Sequence, residues 1–325
     1  MSRVFRSDTL AGVATLVQPA TGTRVFLPSR CLIGRSPACD LVLAEKNVSG
    51  QHAVVEWTGV GWQLQDLGSR NGIYVDNQRV GPDARFALQC GHELRFGRES
   101  APWVLRDAGA PVAMARNLGS REWQLAEGGY LSLPRPDAHE CSIYQLPDGG
   151  WVVERDSEVA PLEDRATVPT SAGALWRVFL PTSLGATVQE DAAPVLVTAL
   201  RLRFRFSLDE EQVEMTGYCG DTRLDFGIRA HHYPLLLLAR RRLGDHRAAE
   251  ADQGWLALDD LLRMLNMSES HLNISIHRAR SHLSQAGVLD AASLIERKPR
   301  TRRLRLGLHD LELTPLDAAD GVRDV

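Results

Sequence analysis

Cysteine is scarce in this chain. Cys31, Cys39, Cys90, Cys141 and Cys219 are odd in number, widely scattered and without paired spacing. That excludes a disulfide scaffold and points to free thiols in a reducing compartment. No apolar run approaches the length that spans a bilayer, and the opening Met1-Ser2-Arg3-Val4-Phe5-Arg6 lacks the apolar stretch of a signal peptide. A cytoplasmic chain with no membrane partner is the expectation. Excess charge is missing too: a formal net charge of -4 over 325 residues gives no whole-chain attraction to nucleic acid or anionic lipid. Any basic surface must therefore be local. No nucleophile–base spacing, phosphate-cradling glycine loop or carboxylate cluster is present, so no catalytic residue and no enzyme are expected. His271 and His282 share a helix face but stand about three turns, roughly 16 Å, apart, too far for one ion. His231-His232, at the start of an amphipathic helix, read as packing or surface residues. No metal site and no cofactor are expected.

The hydrophobic fraction of 44% and charged fraction of 24% are ordinary for globular protein, and the length suits two or three domains. From Thr23 to about Trp103 short strands alternate with turns at Pro37-Ala38, Gly59-Val60-Gly61, Gly68-Ser69-Arg70-Asn71-Gly72 and Gly91-His92, the pattern of a β-sandwich. From Val112 to Pro181 the chain is strand-like again. Residues 142–154, an apolar strand running through a glycine turn into a tryptophan strand, parallel residues 52–64. Thr182 to Ala193 reads as a linker. Three strands follow over Val195–Ser207, Gln212–Gly217 and Thr222–Ile228, and then the period turns helical at Leu235–Arg242, Leu258–Leu265 and Ser270–Ala286. A hairpin of Leu294–Glu296 and Leu304–Leu308 closes the pattern around a basic turn.

Three motifs fall in order in the first segment: Gly34-Arg35-Ser36, Ser49-Gly50-Gln51-His52 and Ser69-Arg70-Asn71-Gly72. At this spacing, among short strands, they resemble a forkhead-associated (FHA) domain, a module that reads phosphothreonine. The resemblance covers roughly residues 23–103. It implies that Arg35 pairs with the phosphate, that Ser49 donates a hydroxyl bond to it and that Asn71 bonds the peptide backbone. These are the donor types that hold a doubly charged phosphate best. It further implies that His52 braces the loop carrying Ser49, and that Ser69 and Arg70 help choose the residues after the phosphothreonine. Gly50 stands where many members carry a basic residue, which leaves a backbone amide as its phosphate contact. Ile73 replaces a common threonine. The second strand-rich segment lacks these motif residues. It reads either as a degenerate second copy or as an unrelated small β domain.

The order of strands, three helices and a final hairpin resembles the winged-helix effector domain of OmpR/PhoB-type response regulators over about residues 195–310, with Leu272–Leu283 as the closest stretch. At about 100° per residue, Leu272, Ile276, Ala279, Leu283 and Ala286 form one core-facing stripe. Ile274, His277, Arg278 and Ser281 then point outward, flanked by Asn273, Arg280 and Gln285. The resemblance implies major-groove contacts from Asn273, His277, Arg278 and Ser281, and phosphate contacts from a wing carrying Arg297, Lys298, Arg300, Arg302 and Arg303. His277, Ser281 and His282 make this helix less cationic than usual for the family, and no receiver domain precedes it.

The expected fold is therefore multidomain: an all-β FHA sandwich at 1–107, a β-rich segment and linker at 108–193, and an α+β winged helix-turn-helix domain at 194–325. The expected function is a phosphothreonine-dependent transcriptional regulator. Its partners are a threonine-phosphorylated protein, an upstream serine/threonine kinase and double-stranded DNA; a homo-oligomer is compatible with this. The competing expectation is a scaffold whose C-terminal surface contacts proteins. Thr9 and Thr170 are local candidates for a self-ligand.

Overall fold

The computed structural model describes residues 12–81, 84–146, 148–155, 158–171, 173–181, 195–298 and 301–316. The chain divides into two compact units, 1–114 with 179–188 and 115–178 with 189–325. The expected linker at 182–193 lies outside the described residues, as does Thr9. Among the described residues no helix is long and apolar enough to cross a membrane.

The first unit is a β-sandwich. One sheet has five strands in the order Leu41–Val42, Arg30–Gly34, Ala53–Trp57, Trp62–Asp66 and Arg85–Leu88. The other has six, in the order Thr23–Phe26, Thr15–Gln18, Trp103–Asp107, Glu93–Phe96, Ile73–Val75 and Gln78–Arg79. Alternation builds the core: in Trp62–Asp66 residues 62, 64 and 66 are buried while Gln63 and Gln65 are partly exposed. Cys31, Ile33, Val55, Trp62 and Leu64 meet Leu16, Ile73, Leu94, Phe96 and Leu105 in one cluster. The Trp62 indole N–H is satisfied inside it by the Gly109 carbonyl at 2.9 Å.

Antiparallel register positions the functional loops. Ile33 pairs with Ala53, and Ala53 with Asp66, so the end of one strand, the start of the next and the end of the third lie side by side. Each of the three sequence motifs occupies one of these ends.

The second unit begins with two four-stranded sheets. One contains Met114–Asn117, Trp123–Leu125, Thr167–Pro169 and Leu175–Phe179. The other runs Leu131–Leu133, Cys141–Gln145, Trp151–Arg155 and Glu158–Pro161. A further sheet of Thr222–Ile228, Val213–Cys219 and Arg201–Phe206 is completed by Leu311–Pro315, which pairs parallel to Arg201–Phe206. Three helices follow the periodicity of the sequence: α1 (Tyr233–Gly244), α2 (Leu258–Leu265) and α3 (Glu269–Gln285). Pro234 opens α1, where its missing N–H costs nothing. Asn266 closes α2 in the left-handed conformation at φ 47°. Ser268 caps α3, its hydroxyl accepting the His271 N–H at 3.3 Å. The hairpin of Ile295–Lys298 and Arg303–Leu306 lies where the sequence predicts it and takes Leu256–Ala257 as a third strand.

Two expectations change here. Tyr130, Tyr144 and Val152 of the middle segment join Leu202, Phe204, Leu236, Leu261, Ile276 and Leu304 in a single core. Residues 115–178 and 195–316 thus form one unit, whereas the sequence suggested separate domains. On α3, Leu272, Ile276, Ala279 and Leu283 are buried as the stripe requires, but so are Ile274, His277 and Ser281, which were expected to point outward. The middle segment covers His277 and Ser281. The Ser281 hydroxyl donates to the Glu127 carbonyl at 3.1 Å. The His277 ring meets those of Tyr130 and His139 at 6.0 and 5.9 Å. Gly128 (φ 54°) passes so close to α3 that a Cβ there would fall 2.7 Å from the Ser281 carbonyl oxygen.

Candidate functional site

The three loops at the end of the five-stranded sheet are stitched by backbone bonds. The Arg35 N–H donates to the Ser49 carbonyl and the Ser36 N–H to the Gly50 carbonyl, each at 2.9 Å. This approach requires glycine at position 34, since a Cβ there would sit 2.3 Å from the Gly50 oxygen. His52 is fully buried, edge-on to Phe96 at 5.9 Å. Its Nδ1 accepts the Ser49 N–H at 3.0 Å, which leaves the proton on Nε2 to donate to the Gly72 carbonyl at 3.2 Å. Burial pushes the His52 pKa down, against a smaller upward pull from the Gly72 carbonyl and Asp66, so the ring is neutral. It ties the serine loop to the asparagine loop, the bracing role the resemblance implies.

This frame presents polar groups to solvent. Arg35 is exposed, and among the described residues its guanidinium has no acidic partner. The Ser49 hydroxyl accepts the Arg70 N–H at 3.1 Å, so its own proton remains available to donate. The exposed Asn71 amide donates to the Asn47 carbonyl at 2.6 Å, which fixes its orientation and leaves its oxygen as an acceptor. Arg70 is exposed on the same rim, and so is Gly50, with open space around the Cβ position. Ser69 differs. Its N–H and hydroxyl both donate to the buried Asp66 carboxylate, at 2.7 and 2.9 Å, while the hydroxyl oxygen accepts the Gly72 N–H at 3.0 Å. Its polar atoms are used inside the loop, which makes it a frame residue of Asn71. Asp66 and Asn47 are supports that the sequence motifs do not flag.

The residues expected at a DNA surface do not form one exposed face. Arg278, Lys298, Arg302 and Arg303 are exposed. Arg302 pairs with Glu269 at 3.0 Å and Asp259 at 3.4 Å, and the Lys298 ammonium lies 5.6 Å from the Trp255 ring centre. Arg300 lies outside the described residues. His277 and Ser281 are covered as described, and Asn273 accepts from Arg297 at 2.9 Å. Arg297 itself is drawn into a buried ion cluster. The Glu154 carboxylate takes Arg280 at 2.8 Å on one oxygen, Arg297 at 2.7 Å on the other, and the Tyr144 hydroxyl at 2.9 Å. Burial works to raise the Glu154 pKa, but the two guanidiniums outweigh it and hold it at about 2. Arg280 also donates to the Ile295 carbonyl at 3.1 Å, so this one side chain links the middle sheet, α3 and the hairpin. Thr170, the remaining self-ligand candidate, is buried. Its hydroxyl donates to the Ala174 carbonyl at 3.3 Å.

The fold also unites histidines that the sequence keeps apart. His231, His232 and His282 each bring a ring nitrogen within 4.8 Å of the other two. The sequence weighed His282 only against His271, on its own helix.

The model of the FHA domain family matches residues 31–97, so the chain carries an FHA domain there. Human Kanadaptin is 33% identical over 114 residues, 31% of this chain and 15% of that protein. The FHA domain-containing protein FhaB of Mycobacterium tuberculosis is 37% identical over 79 residues, 24% of this chain and 50% of that one. The transcriptional regulatory protein EmbR of M. tuberculosis is 38% identical over 69 residues, 20% of this chain and 18% of the relative. A structure of M. tuberculosis EmbR in complex with a low affinity phosphopeptide aligns at TM-score 0.28 and 30% identity, over 30% of this chain and 25% of that chain. The chain thus spans half or less of the length of these relatives.

Proposed function

We propose that this chain is a phosphothreonine-dependent regulator. Its FHA loops bind a threonine-phosphorylated partner made by a serine/threonine kinase. Arg35 pairs with the phosphate, the Ser49 hydroxyl and the Gly50 amide donate to it, and Asn71 bonds the peptide backbone. Arg70 faces the residues that follow. The observation carrying this reading is the pairing of an exposed, acid-free Arg35 with Ser49, whose backbone is held by neutral His52 and whose hydroxyl accepts from the Arg70 N–H. We read the chain as a binding protein, without catalytic residues, of the cytoplasm, in keeping with its few, widely scattered cysteines. Fluorescence polarisation tests it with a phosphothreonine peptide library and the matching unphosphorylated peptides. A charge-assisted bond contributes about 1.5–3 kcal/mol. Arg35→Ala should therefore weaken phosphopeptide binding at least about tenfold; equal binding by wild type and variant would remove the phosphate assignment.

For the output, the three helices and closing hairpin, in the order the sequence suggests, support a C-terminal winged helix that binds double-stranded DNA. Arg278, Lys298, Arg302 and Arg303 supply the contacts, joined by Asn273, His277, Ser281 and Arg297 once the middle sheet moves off α3. A specific observation favours a second reading. That face of α3 is already occupied by residues 127–154, so a phosphorylation-dependent scaffold needs no rearrangement. Mobility shifts separate the two. DNA binding should appear at low salt, fall steeply with added salt and weaken further in Arg278→Ala with Arg302→Ala. No shift at low salt, with folded protein, leaves the scaffold.

A further inference from the structure

The histidine cluster of the second unit stands apart from the FHA loops and from the phosphothreonine reading. His231 and His232 end the short 3-10 turn Ala230–His232 that leads into α1, and His282 lies in the last turn of α3. His231 Nε2 stands 3.3 Å from His282 Nδ1. The ring centres of His231 and His232 are 4.7 Å apart, and those of His231 and His282 are 4.8 Å apart.

His232 supplies the second, independent observation. It is fully buried, and its Nδ1 lies 3.2 Å from the Val213 carbonyl, which fixes the proton on Nδ1 and the lone pair on Nε2. That Nε2 makes no hydrogen bond of good geometry; burial lowers the ring's pKa, and the Gly227 carbonyl near the ring pulls it up only slightly against that much larger effect. A buried acceptor without a well-placed partner costs free energy and calls for an explanation. Donation of the second ring N–H to a backbone carbonyl is what a metal-ligating histidine ordinarily does.

The distances suit one ion. Zinc bound to imidazole nitrogens at about 2.0–2.1 Å in a tetrahedron sets them about 3.3 Å from one another. The His231–His282 pair already has this separation. With all three ligand atoms within 4.8 Å, the remaining nitrogen has at most about 1.5 Å to travel. Burial keeps the His231 and His232 rings neutral, the form that ligates. A donor set of imidazoles without a carboxylate suits a borderline transition metal and not Mg2+ or Ca2+.

We propose that His231, His232 and His282 bind one divalent transition-metal ion, of the Zn2+ class. The fourth position opens to solvent beside the half-exposed His282 and is filled by water or an anion. Arg229 and Arg278 face the same cluster from exposed positions. Their charges are screened by water, so they weaken the cation's attraction only modestly and favour an anionic fourth ligand. The ion joins the start of α1 to the end of α3.

The test uses the full chain, stripped of metal and titrated with Zn2+ by calorimetry, with metal retained after desalting counted by mass spectrometry. Wild type should bind one equivalent, and His271→Ala, which alters an exposed histidine elsewhere on α3, should match it. His282→Ala removes the half-exposed ligand with least harm to folding, and His231→Gln is the second variant. Each should weaken binding by more than about tenfold, the loss seen even for outer-shell partners. Wild type loaded with Co2+ should show tetrahedral d–d absorption without thiolate-to-metal charge transfer. Absence of stoichiometric zinc, undiminished binding by both variants, or thiolate bands placing the metal on cysteine would each overturn the proposal.

Discussion

Gly50 and Gly34 sit 16 residues apart in sequence and touch where the first two motif loops meet, yet their substitution should have opposite effects. A Cβ at Gly50 meets nothing within 4 Å, so Gly50→Arg should fold normally and place a second guanidinium on the exposed rim beside Arg35. An exposed ion pair is worth about 0.2–1 kcal/mol, which predicts a gain of up to about fivefold in phosphopeptide affinity and none for the unphosphorylated peptide. Gly34→Ala must instead push its methyl against the Gly50 carbonyl oxygen and part the two loops. It should abolish phosphopeptide binding while the far end of the sandwich keeps its structure. Polarisation titrations with amide spectra of both variants check this, and a Gly34→Ala protein of full affinity would show that the loops need no such contact. At this scale the sequence was informative for a physical reason. The placement of Arg35, Ser49, His52 and Asn71 on adjoining loops follows from residue type and short spacing along the chain. Ser69 misled because a serine on the rim looks free until the buried Asp66 carboxylate is seen to occupy its donors.

α3 is a helix with two buried faces, and only one could be read from its own period. The Leu272, Ile276, Ala279 and Leu283 stripe follows from spacing alone. The second face depends on Glu154, 126 residues before Arg280, and no local pattern marks that pairing. The core shared by the middle segment and the helices was hidden for the same reason: each part looks complete by itself. The ion cluster holds two guanidiniums on one carboxylate, so Glu154→Ala leaves both uncompensated in the interior. Removing one partner of such a cluster costs about 3–5 kcal/mol, and urea unfolding of the second unit should show that loss. Replacing Glu154, Arg280 and Arg297 together by leucine or methionine should cost far less, because well-packed apolar groups often match a buried ion cluster. Equal losses in the single and triple variants would mean that packing, not charge compensation, sets the effect. If Glu154→Ala remains folded at low temperature, it also tests the DNA reading, which requires a freer α3 to bind DNA more tightly than wild type does.

For the whole molecule, acid is the informative variable, because both units bury neutral histidines. His52 in the first and His139 and His277 in the second all have pKa values lowered chiefly by burial. Like His231, His277 is pushed from 6.5 down to about 3. It is faced by His139 and by Arg278 and Arg280, all of which oppose a proton on it. Tyr130 lies edge-on to it, and Glu154 and Arg297 line the same small cavity. In the unfolded chain these histidines take up protons as the pH falls through about 6.5; in the folded chain they do not until much lower pH. The unfolded state therefore binds more protons in that window, and stability is complete above about pH 6.5 and declines as the pH drops. Glu154 does not contribute until the pH nears the ordinary carboxylate range, because its pKa of about 2 lies below the usual 4.5. Between pH 7 and 5 the slope thus belongs to the histidines. At 1.36 kcal/mol per unit, His277 alone accounts for about 2 kcal/mol at pH 5. Urea unfolding at a series of pH values should show the decline, and His277→Gln, which keeps a polar group of similar reach but cannot titrate, should flatten it by about that amount. A slope unchanged in His277→Gln would mean that the ring stays neutral in both states, and would remove it as the origin of the acid sensitivity.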